Sequence, residues 1–201
     1  MDSWSIEDEV RTQGYTAICG VDEAGRGPLA GNVFAAAVIL PFGVQIAHLA
    51  DSKKLSERRR YELFDVIKEL AVSYSIGFAD VDEIEKFNIL GATFLAMNRA
   101  IEGLNTPADI ALIDGNQVYG IKHNCKAVVG GDEKSATIAA ASILAKVSRD
   151  RYMIEMAERF PQYDFHKHKG YGTILHFEKL KIFGLSEIHR PSFLKKYNFN
   201  D

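Results

Sequence analysis

Runs of apolar residues along the chain predict strands that alternate with helices. Residues 15–21 are predicted to form a strand that enters a glycine-rich turn. Residues 32–40 are a continuous apolar run of strand length, as expected for a strand buried on both faces, and the two strands form a hairpin-like pair. Further strands are predicted over the alternating residues 72–79 and over the short apolar runs 110–113 and 126–129.

Apolar residues at helical spacing fill the intervals between these strands. Residues 63–70 carry an apolar stripe after Ser56, and residues 90–104 carry another after Asn88, a good N-cap residue. This alternation of elements favours an α/β fold, with mixed α+β as the alternative.

Two more helices are predicted in the C-terminal third of the chain. Ser135 can cap a long helix that runs through Arg159 and is followed by Pro161. A short helix begins near Thr173 and stops at Gly184, where glycine can form a C-cap.

The bulk composition is that of a globular protein of one domain, spanning residues 1–201. Cys19 and Cys125 lie far apart, so a disulfide framework is not expected and a reducing cytoplasm is favoured. The acidic N-terminus does not resemble a signal peptide, and the longest apolar run, residues 33–40, is too short to span a bilayer.

Charge is distributed unevenly, although the net charge of −3 argues mildly against a nucleic-acid partner. Residues 1–24 hold six acids and one arginine, whereas residues 165–196 hold seven lysines or arginines and two glutamates. Residues 52–60 form another basic cluster. Such a chain can bind cations in one place and phosphates in others, but solvated faces explain the same charges equally well.

Three predicted strands lead into carboxylates. Asp22 and Glu23 follow the first strand, Asp114 follows residues 110–113, and Asp132 follows residues 126–129. Because strand ends lie side by side along one edge of such a sheet, these acids can converge. Converging carboxylates repel unless a cation or a proton sits among them, and oxygen donors suit Mg²⁺ or Mn²⁺. Two such ions can activate a water and stabilise a leaving 3′ oxyanion.

A turn or helix-cap role is the alternative for each acid taken alone. Asp114 precedes a glycine, as turn residues often do, and Asp132 lies three residues before the cap at Ser135. The first pair of acids is harder to explain by turn chemistry, since it follows an apolar strand directly and precedes a Gly-Arg-Gly segment.

An ordered series of motifs resembles the type 2 ribonuclease H family, and most closely its bacterial branch. The series covers roughly residues 17–193, and the order of the motifs is more specific than any one of them. In chain order the matching segments are Asp22-Glu23-Ala24-Gly25-Arg26-Gly27-Pro28-Leu29-Ala30-Gly31, Asp51-Ser52-Lys53-Lys54-Leu55-Ser56, Asn88-Ile89-Leu90, Asp114-Gly115-Asn116, Gly131-Asp132, Ile138-Ala139-Ala140-Ala141-Ser142-Ile143-Leu144-Ala145-Lys146-Val147, His168-Lys169-Gly170-Tyr171-Gly172-Thr173 and His189-Arg190-Pro191-Ser192-Phe193.

The resemblance implies an RNase H-like fold, with a mixed central sheet flanked by helices and a helical, substrate-binding part over about residues 165–201. It implies an endonuclease that cuts the RNA strand of RNA–DNA hybrids. It also implies incision 5′ to ribonucleotides embedded in duplex DNA, leaving 5′-phosphate and 3′-hydroxyl ends. We expect a cytoplasmic monomer that uses Mg²⁺ or Mn²⁺, with no membrane and no obligate protein partner.

By motif position, the resemblance assigns catalysis and metal binding to four acids: Asp22, Glu23, Asp114 and Asp132. It assigns recognition of the ribose 2′-hydroxyl to one loop: Gly25, Arg26 and Gly27. Tyr171 matches a tyrosine that packs on the sugar next to the scissile phosphate. A backbone without Cβ atoms can approach a sugar closely, and the 2′-hydroxyl is the group that separates RNA from DNA.

Several side chains have two interpretations. Lys53 and Lys146 are expected to contact phosphates, but Lys146 can equally form an ion pair with Asp150 one helical turn later. For Tyr171 the alternative is a core aromatic residue. Four histidines could suggest zinc, but their spacing offers no partner cysteine, so surface or phosphate-facing roles are expected for His166, His168, His176 and His189.

Two other functions fit parts of the sequence. Another two-metal nuclease of the same broad fold is disfavoured by the Gly-Arg-Gly loop and Tyr171. A hybrid-binding protein without turnover is disfavoured by the acids, because a pure binder gains nothing from repelling its phosphate ligand.

Overall fold

A computed structural model describes residues 4–49 and 55–197. Its sheet has five strands in the order β3-β2-β1-β4-β5 within that part of the chain. The strands are β1 (Ile18–Ala24), β2 (Val33–Ile39), β3 (Ser73–Ala79), β4 (Ile110–Asp114) and β5 (Cys125–Val128). Strand β2 is antiparallel to both neighbours, whereas β4 is parallel to β1 and to β5, so the predicted mixed sheet and early hairpin-like pair are confirmed.

Helices cover both faces of this sheet and form the C-terminal part. They are α1 (Ser5–Thr12), α2 (Glu57–Leu70), α3 (Val81–Glu102), α4 (Ala136–Arg159), α5 (Phe165–His168), α6 (Ile174–Phe183) and α7 (Pro191–Leu194). None of the helices within the described residues is long and apolar enough to cross a membrane.

Strand β2 is buried at all seven positions because helices pack on both of its faces. Its odd-numbered residues, such as Ala35, share a core with α3, and its even-numbered residues, such as Ala36, share a core with α2 and α4. Helix α4 also lies against β1, where a Cβ atom on Gly20 would come within 2.1 Å of the Thr137 backbone. The glycine therefore allows the helix to approach the strand that carries the first acids.

Two elements extend beyond their predicted boundaries. Strand β1 does not end before the acids but continues through Asp22 and Glu23, because its pairing with β2 extends to the Ala24–Phe34 pair. Helix α3 begins at Val81 rather than near residue 90, since Asp80 and Glu83 form a capping box. The predicted cap at Asn88 is nevertheless confirmed: Asn88 marks a kink inside α3, and its side chain accepts from the Leu90 and Gly91 amides at 2.9 and 3.2 Å.

Helix α1 was not predicted, and it supports the start of α4. Its Glu7 is fully buried, and the carboxylate accepts hydrogen bonds from the Ser135 hydroxyl at 2.6 Å and from the Thr137 amide at 3.0 Å. A carboxylate placed at a helix N-terminus is favoured by the helix dipole. Ser135 caps α4 as predicted, accepting from the Ile138 amide at 3.2 Å.

Candidate active site

Neighbouring strands bring three acids together. The last residue pair between the parallel strands β1 and β4 is Val21–Ile113. Asp22 and Asp114 are the next residues of these two strands, so they lie side by side. Burial raises the pKa of the Asp22 carboxyl well above its ordinary value, and the nearby charges of Glu23 and Asp114 raise it further. Burial also raises the pKa of Glu23, against the opposing effect of Arg26. We call Asp22, Glu23 and Asp114 the carboxylate edge.

Asp132 follows β5 in a turn that lies beside this edge. It sits in a 3₁₀ turn, Gly131–Glu133, and the Gly131 amide donates to Asp114 Oδ1 at 2.6 Å. Its buried side chain lines a second cavity, of about 210 Å³, together with residues such as Gln45 and Ala139. The turn that carries the fourth acid is thus hydrogen-bonded to the carboxylate edge.

The carboxylate edge has the donor chemistry that a hard divalent cation requires. Its ligand atoms are all oxygens, and two of the three carboxyls have raised pKa values because negative charge is buried there. Within residues 4–49 and 55–197, no three His, Cys, Asp or Glu side chains form a complete metal-binding group. The oxygen donors of the carboxylate edge fit an ion that keeps several waters and also takes phosphate oxygens, as Mg²⁺ does.

A glycine-rich loop, residues 25–31, leaves β1 directly after the acids; we call it the glycine loop. Gly25 has a φ of 102°, and a Cβ atom there would lie 2.2 Å from Arg149 Nε, so only glycine suits this position. The half-exposed Arg26 side chain donates to Glu23 Oε1 at 3.2 Å, which places a cation at the rim of the acidic site.

Tyr171 faces the glycine loop from a second loop, residues 168–173, which we call the tyrosine loop. The Tyr171 side chain is 44% exposed, so the alternative of a core aromatic residue is wrong. A Cβ atom on Gly27 would lie 3.9 Å from Tyr171 Cε1, in ordinary contact. Glu23, Gly25 and Tyr171 line one cavity of about 330 Å³.

The two lysines have different outcomes. Lys146 lines the same cavity, and its Nζ lies 2.7 Å from Asp150 Oδ1, so the ion pair is present at a position that a phosphate could also reach. Lys53 lies outside the described residues, and its predicted phosphate contact stays a prediction.

Other residues of the cavity were not anticipated as site residues. The Ser142 side chain lies near enough to the Asp22 carboxyl to lower its pKa, and Ser142, Arg149 and Arg60 all line the cavity. Ser142, Lys146 and Arg149 are spaced by four and three residues along α4, which puts them on one face of an alanine-rich helix. That polar stripe is the sequence signal that could have identified them.

The predicted surface role was wrong for three of the four histidines. His168, His176 and His189 are buried and stack among Tyr163 and Phe165. Burial lowers the pKa of His176 and that of His189 to about 4, so neither ring carries a charge at neutral pH. Neutral buried rings cannot attract phosphates; they serve as hydrogen-bonding parts of the C-terminal core.

Sequence comparisons place these features in one family. A family model described as Ribonuclease HII matches residues 19–198. A Ribonuclease HII of Endomicrobium trichonymphae is 53% identical over 191 residues, covering 94% of this chain and 91% of the relative. A Ribonuclease HII of Caldicellulosiruptor bescii is 51% identical over 192 residues, covering 96% and 93%.

Solved structures share the fold at lower identity. The ribonuclease H2 of Pyrococcus horikoshii superposes with a TM-score of 0.72 at 24% identity, covering 90% of this chain and 96% of that one. A Bst-RNase HIII solved in complex with Mn²⁺ gives a TM-score of 0.63 at 16% identity, covering 84% and 63%. These likenesses confirm the RNase H-like fold.

Proposed function

The chain belongs to the ribonuclease HII family and is a ribonuclease H endonuclease, and we propose that it incises duplex DNA 5′ to an embedded ribonucleotide as well as cutting the RNA strand of hybrids. The observation that carries this proposal is that Gly27 lies opposite the Tyr171 ring, 3.9 Å from where its Cβ atom would be, beside a cavity that Tyr171 and Glu23 both line. A nucleotide in that cavity would have its sugar between backbone and ring, with its phosphate toward the acids.

The glycine loop is suited to detect a 2′-hydroxyl. The peptide that follows Gly25 and the one that follows Arg26 direct their carbonyls into the protein, toward Arg190. Because the C=O and N–H of a trans peptide point in opposite directions, the N–H groups of Arg26 and Gly27 point away from Arg190. Such N–H groups can donate to a sugar oxygen, and no side chain keeps the sugar at a distance at Gly27.

The carboxylate edge, with Asp132, would hold Mg²⁺ or Mn²⁺. When bound, the ions would supply activation of the attacking water and neutralisation of charge on the leaving oxygen. The chain's own residues orient these acids: the Glu23 amide donates to Asp22 Oδ1 at 2.7 Å, and the Gly131 amide fixes Asp114. Hydrolysis on this pattern leaves 5′-phosphate and 3′-hydroxyl ends.

Cations around the cavity would bind the substrate backbone. Arg26, Lys146 and, by motif position, Lys53 would contact phosphates and fix the register of the duplex without reading sequence. We further propose that the enzyme acts as a cytoplasmic monomer on hybrids and on DNA that contains ribonucleotides. The ribonuclease HII of Archaeoglobus fulgidus, 25% identical, has been solved in a complex with PCNA, but nothing in this proposal requires such a partner.

The decisive assay uses two end-labelled duplexes that differ in one 2′-hydroxyl, each incubated with Mg²⁺ and with Mn²⁺. We expect one nick, 5′ to the ribonucleotide, that a polymerase extends and a ligase reseals, which would verify both ends. A duplex with a continuous RNA strand tests hybrid cleavage in parallel. Cleavage of the all-DNA duplex at the same rate would refute ribonucleotide recognition.

A further inference from the structure

Arg190 is a fully buried arginine that makes no contact with the cavity itself. All five N–H donors of its guanidinium are used, and all of them bind backbone carbonyls of the glycine loop. Nε and Nη2 donate to the Gly31 oxygen at 2.8 and 2.6 Å, and Nη2 also donates to that of Gly25 at 2.8 Å. Nη1 donates to the oxygens of Pro28 at 2.8 Å and Arg26 at 3.2 Å.

These hydrogen bonds determine the shape of the glycine loop. One rigid planar group holds four carbonyls of a seven-residue segment on its inner side. The N–H groups of Arg26 and Gly27 therefore point away from Arg190, which leaves them available for the proposed ribose recognition. A lysine offers three donors without the planar fork and cannot reproduce the pattern.

The neighbouring residue, His189, reaches the tyrosine loop. His176 Nδ1 donates to the Tyr171 carbonyl at 2.9 Å, because a carbonyl only accepts. His189 Nδ1 accepts from the Ser186 amide at 2.8 Å, so its Nε2 carries the hydrogen and donates to His176 Nε2 at 3.0 Å. The two hydrogen bonds of the His176 ring form a relay from His189 through His176 to the Tyr171 carbonyl, and they hold the Tyr171 backbone in place.

The backbone of the same segment joins the two loops. The Arg190 amide donates to the Leu29 carbonyl at 2.8 Å, and the Gly31 amide donates to the Ile188 carbonyl at 2.8 Å. The Leu29 amide in turn donates to the Gly170 carbonyl of the tyrosine loop at 2.8 Å. Residues 188–190 therefore contact the glycine loop directly and the tyrosine loop through one relay.

We propose that His189 and Arg190 are the positioning residues of ribonucleotide selection: Arg190 shapes the glycine loop, His189 fixes Tyr171 through His176, and their adjacency keeps both loops in register. This inference rests on the proposed function, since it assigns a cause to the ribose recognition proposed there. Neither residue touches the substrate; each acts through a loop that does.

The first test compares Arg190→Lys and Arg190→Met with wild type, at a temperature where thermal melts show every variant folded. The readouts are the single-turnover rate on a duplex with one ribonucleotide and the Kd for the all-DNA duplex of the same sequence. We expect both variants to lose on the order of 10²-fold in rate, as for a misplaced reacting group, with the Kd unchanged. Ile67→Ala, which removes buried volume from α2, controls for general loss of stability and should keep the wild-type rate.

The second test compares His189→Phe with His189→Gln. A glutamine amide can still donate to His176, so we expect it to restore part of the rate that phenylalanine loses. Equal rates for the two His189 variants, or wild-type cleavage by folded Arg190 variants, would overturn the inference while leaving the proposed function intact. Failure of the proposed function shows separately, as wild-type enzyme that cuts the all-DNA duplex equally well.

Discussion

The carboxylate edge and the two loops beside it are stabilised in opposite ways. At the edge, Asp22 is buried next to two more negative groups, which raises its pKa and makes the charged form costly. In the loops, every N–H of the Arg190 guanidinium and both ring nitrogens of His176 have partners. The edge thus holds unfavourable charge that a cation would relieve, whereas the loops are held by hydrogen bonds within the protein that need no ligand. On the proposed function, chemistry and selection are therefore separable, and mutations should divide along the same line.

The largest effect is expected at the carboxylate edge. Asp22→Asn removes a charged oxygen ligand and should reduce turnover on the order of 10³-fold or more, because metal assistance contributes several kcal/mol to the transition state. Asp114→Asn should behave similarly. Steady-state rates with Mg²⁺ or Mn²⁺ measure this loss, and circular dichroism verifies folding. Near-normal turnover in either variant would contradict the assignment of these acids.

Tyr171→Ala should have the next largest effect, about 10- to 100-fold on ribonucleotide cleavage, which is the scale of a lost stacking contact with a nucleotide. Since Tyr171 is 44% exposed and lies outside the buried core, the melting temperature should change little. Tyr119→Ala, at a 75% exposed tyrosine outside the cavity, is the matched control and should cleave normally. Equal losses in the two variants would break the link between Tyr171 and selection.

Removing the buried charge of Asp22 should stabilise the metal-free protein, although the same change lowers activity. The raised pKa of Asp22 means that its contribution to stability is present below its unfolded pKa, near 3.8, and is lost as pH rises through the folded value. Asp22→Asn should therefore melt above wild type, by a margin that widens toward neutral pH and narrows when Mg²⁺ is added.

A matched substitution at another aspartate tests the direction of this change in melting temperature. Backbone N–H groups of Ala17 and Thr16 lower the pKa of Asp109, so Asp109→Asn should melt below wild type at neutral pH and keep its activity. If both aspartates shift the melting temperature in the same direction, the picture of an electrostatically unfavourable edge is wrong.

The smallest effect is expected at Lys146. Lys146→Ala should weaken duplex binding for DNA and hybrid alike, and reduce the slope of log affinity against log salt by about one, as for a single phosphate contact. Lys126→Ala, which breaks an exposed ion pair with Glu9, serves as the control. An unchanged slope would leave the Lys146–Asp150 ion pair as the whole role of Lys146.

Local sequence patterns predicted the strands and the acids of the carboxylate edge. The errors in element boundaries arise mostly from tertiary contacts. Continuous apolar runs identified β2 and β4, because strands covered on both faces show no alternation. The start of α3 was missed although its signal, a capping box at Asp80 and Glu83, is present in the sequence. Strand β1 extends past its apolar residues only because β2 continues to pair with it.

Local sequence patterns could not identify the residues that position the site. A buried arginine with four carbonyl partners, or a histidine that bonds another 13 residues away, has no periodic signature. The same holds for Glu7, which caps a helix that begins more than a hundred residues later. Such roles depend on which segments meet, so sequence reasoning located the acids and the loops but not the residues that hold them.

Duplex binding by Asp22→Asn is the most direct test of separable chemistry and selection. The measurement is the ratio of Kd values for two duplexes that differ only in one 2′-hydroxyl, taken in Mg²⁺ with this inactive variant. The account predicts that the variant still prefers the ribonucleotide duplex, and that adding Tyr171→Ala abolishes the preference. Equal affinity for both duplexes in Asp22→Asn would show that selection depends on the carboxylate edge, and would contradict the account.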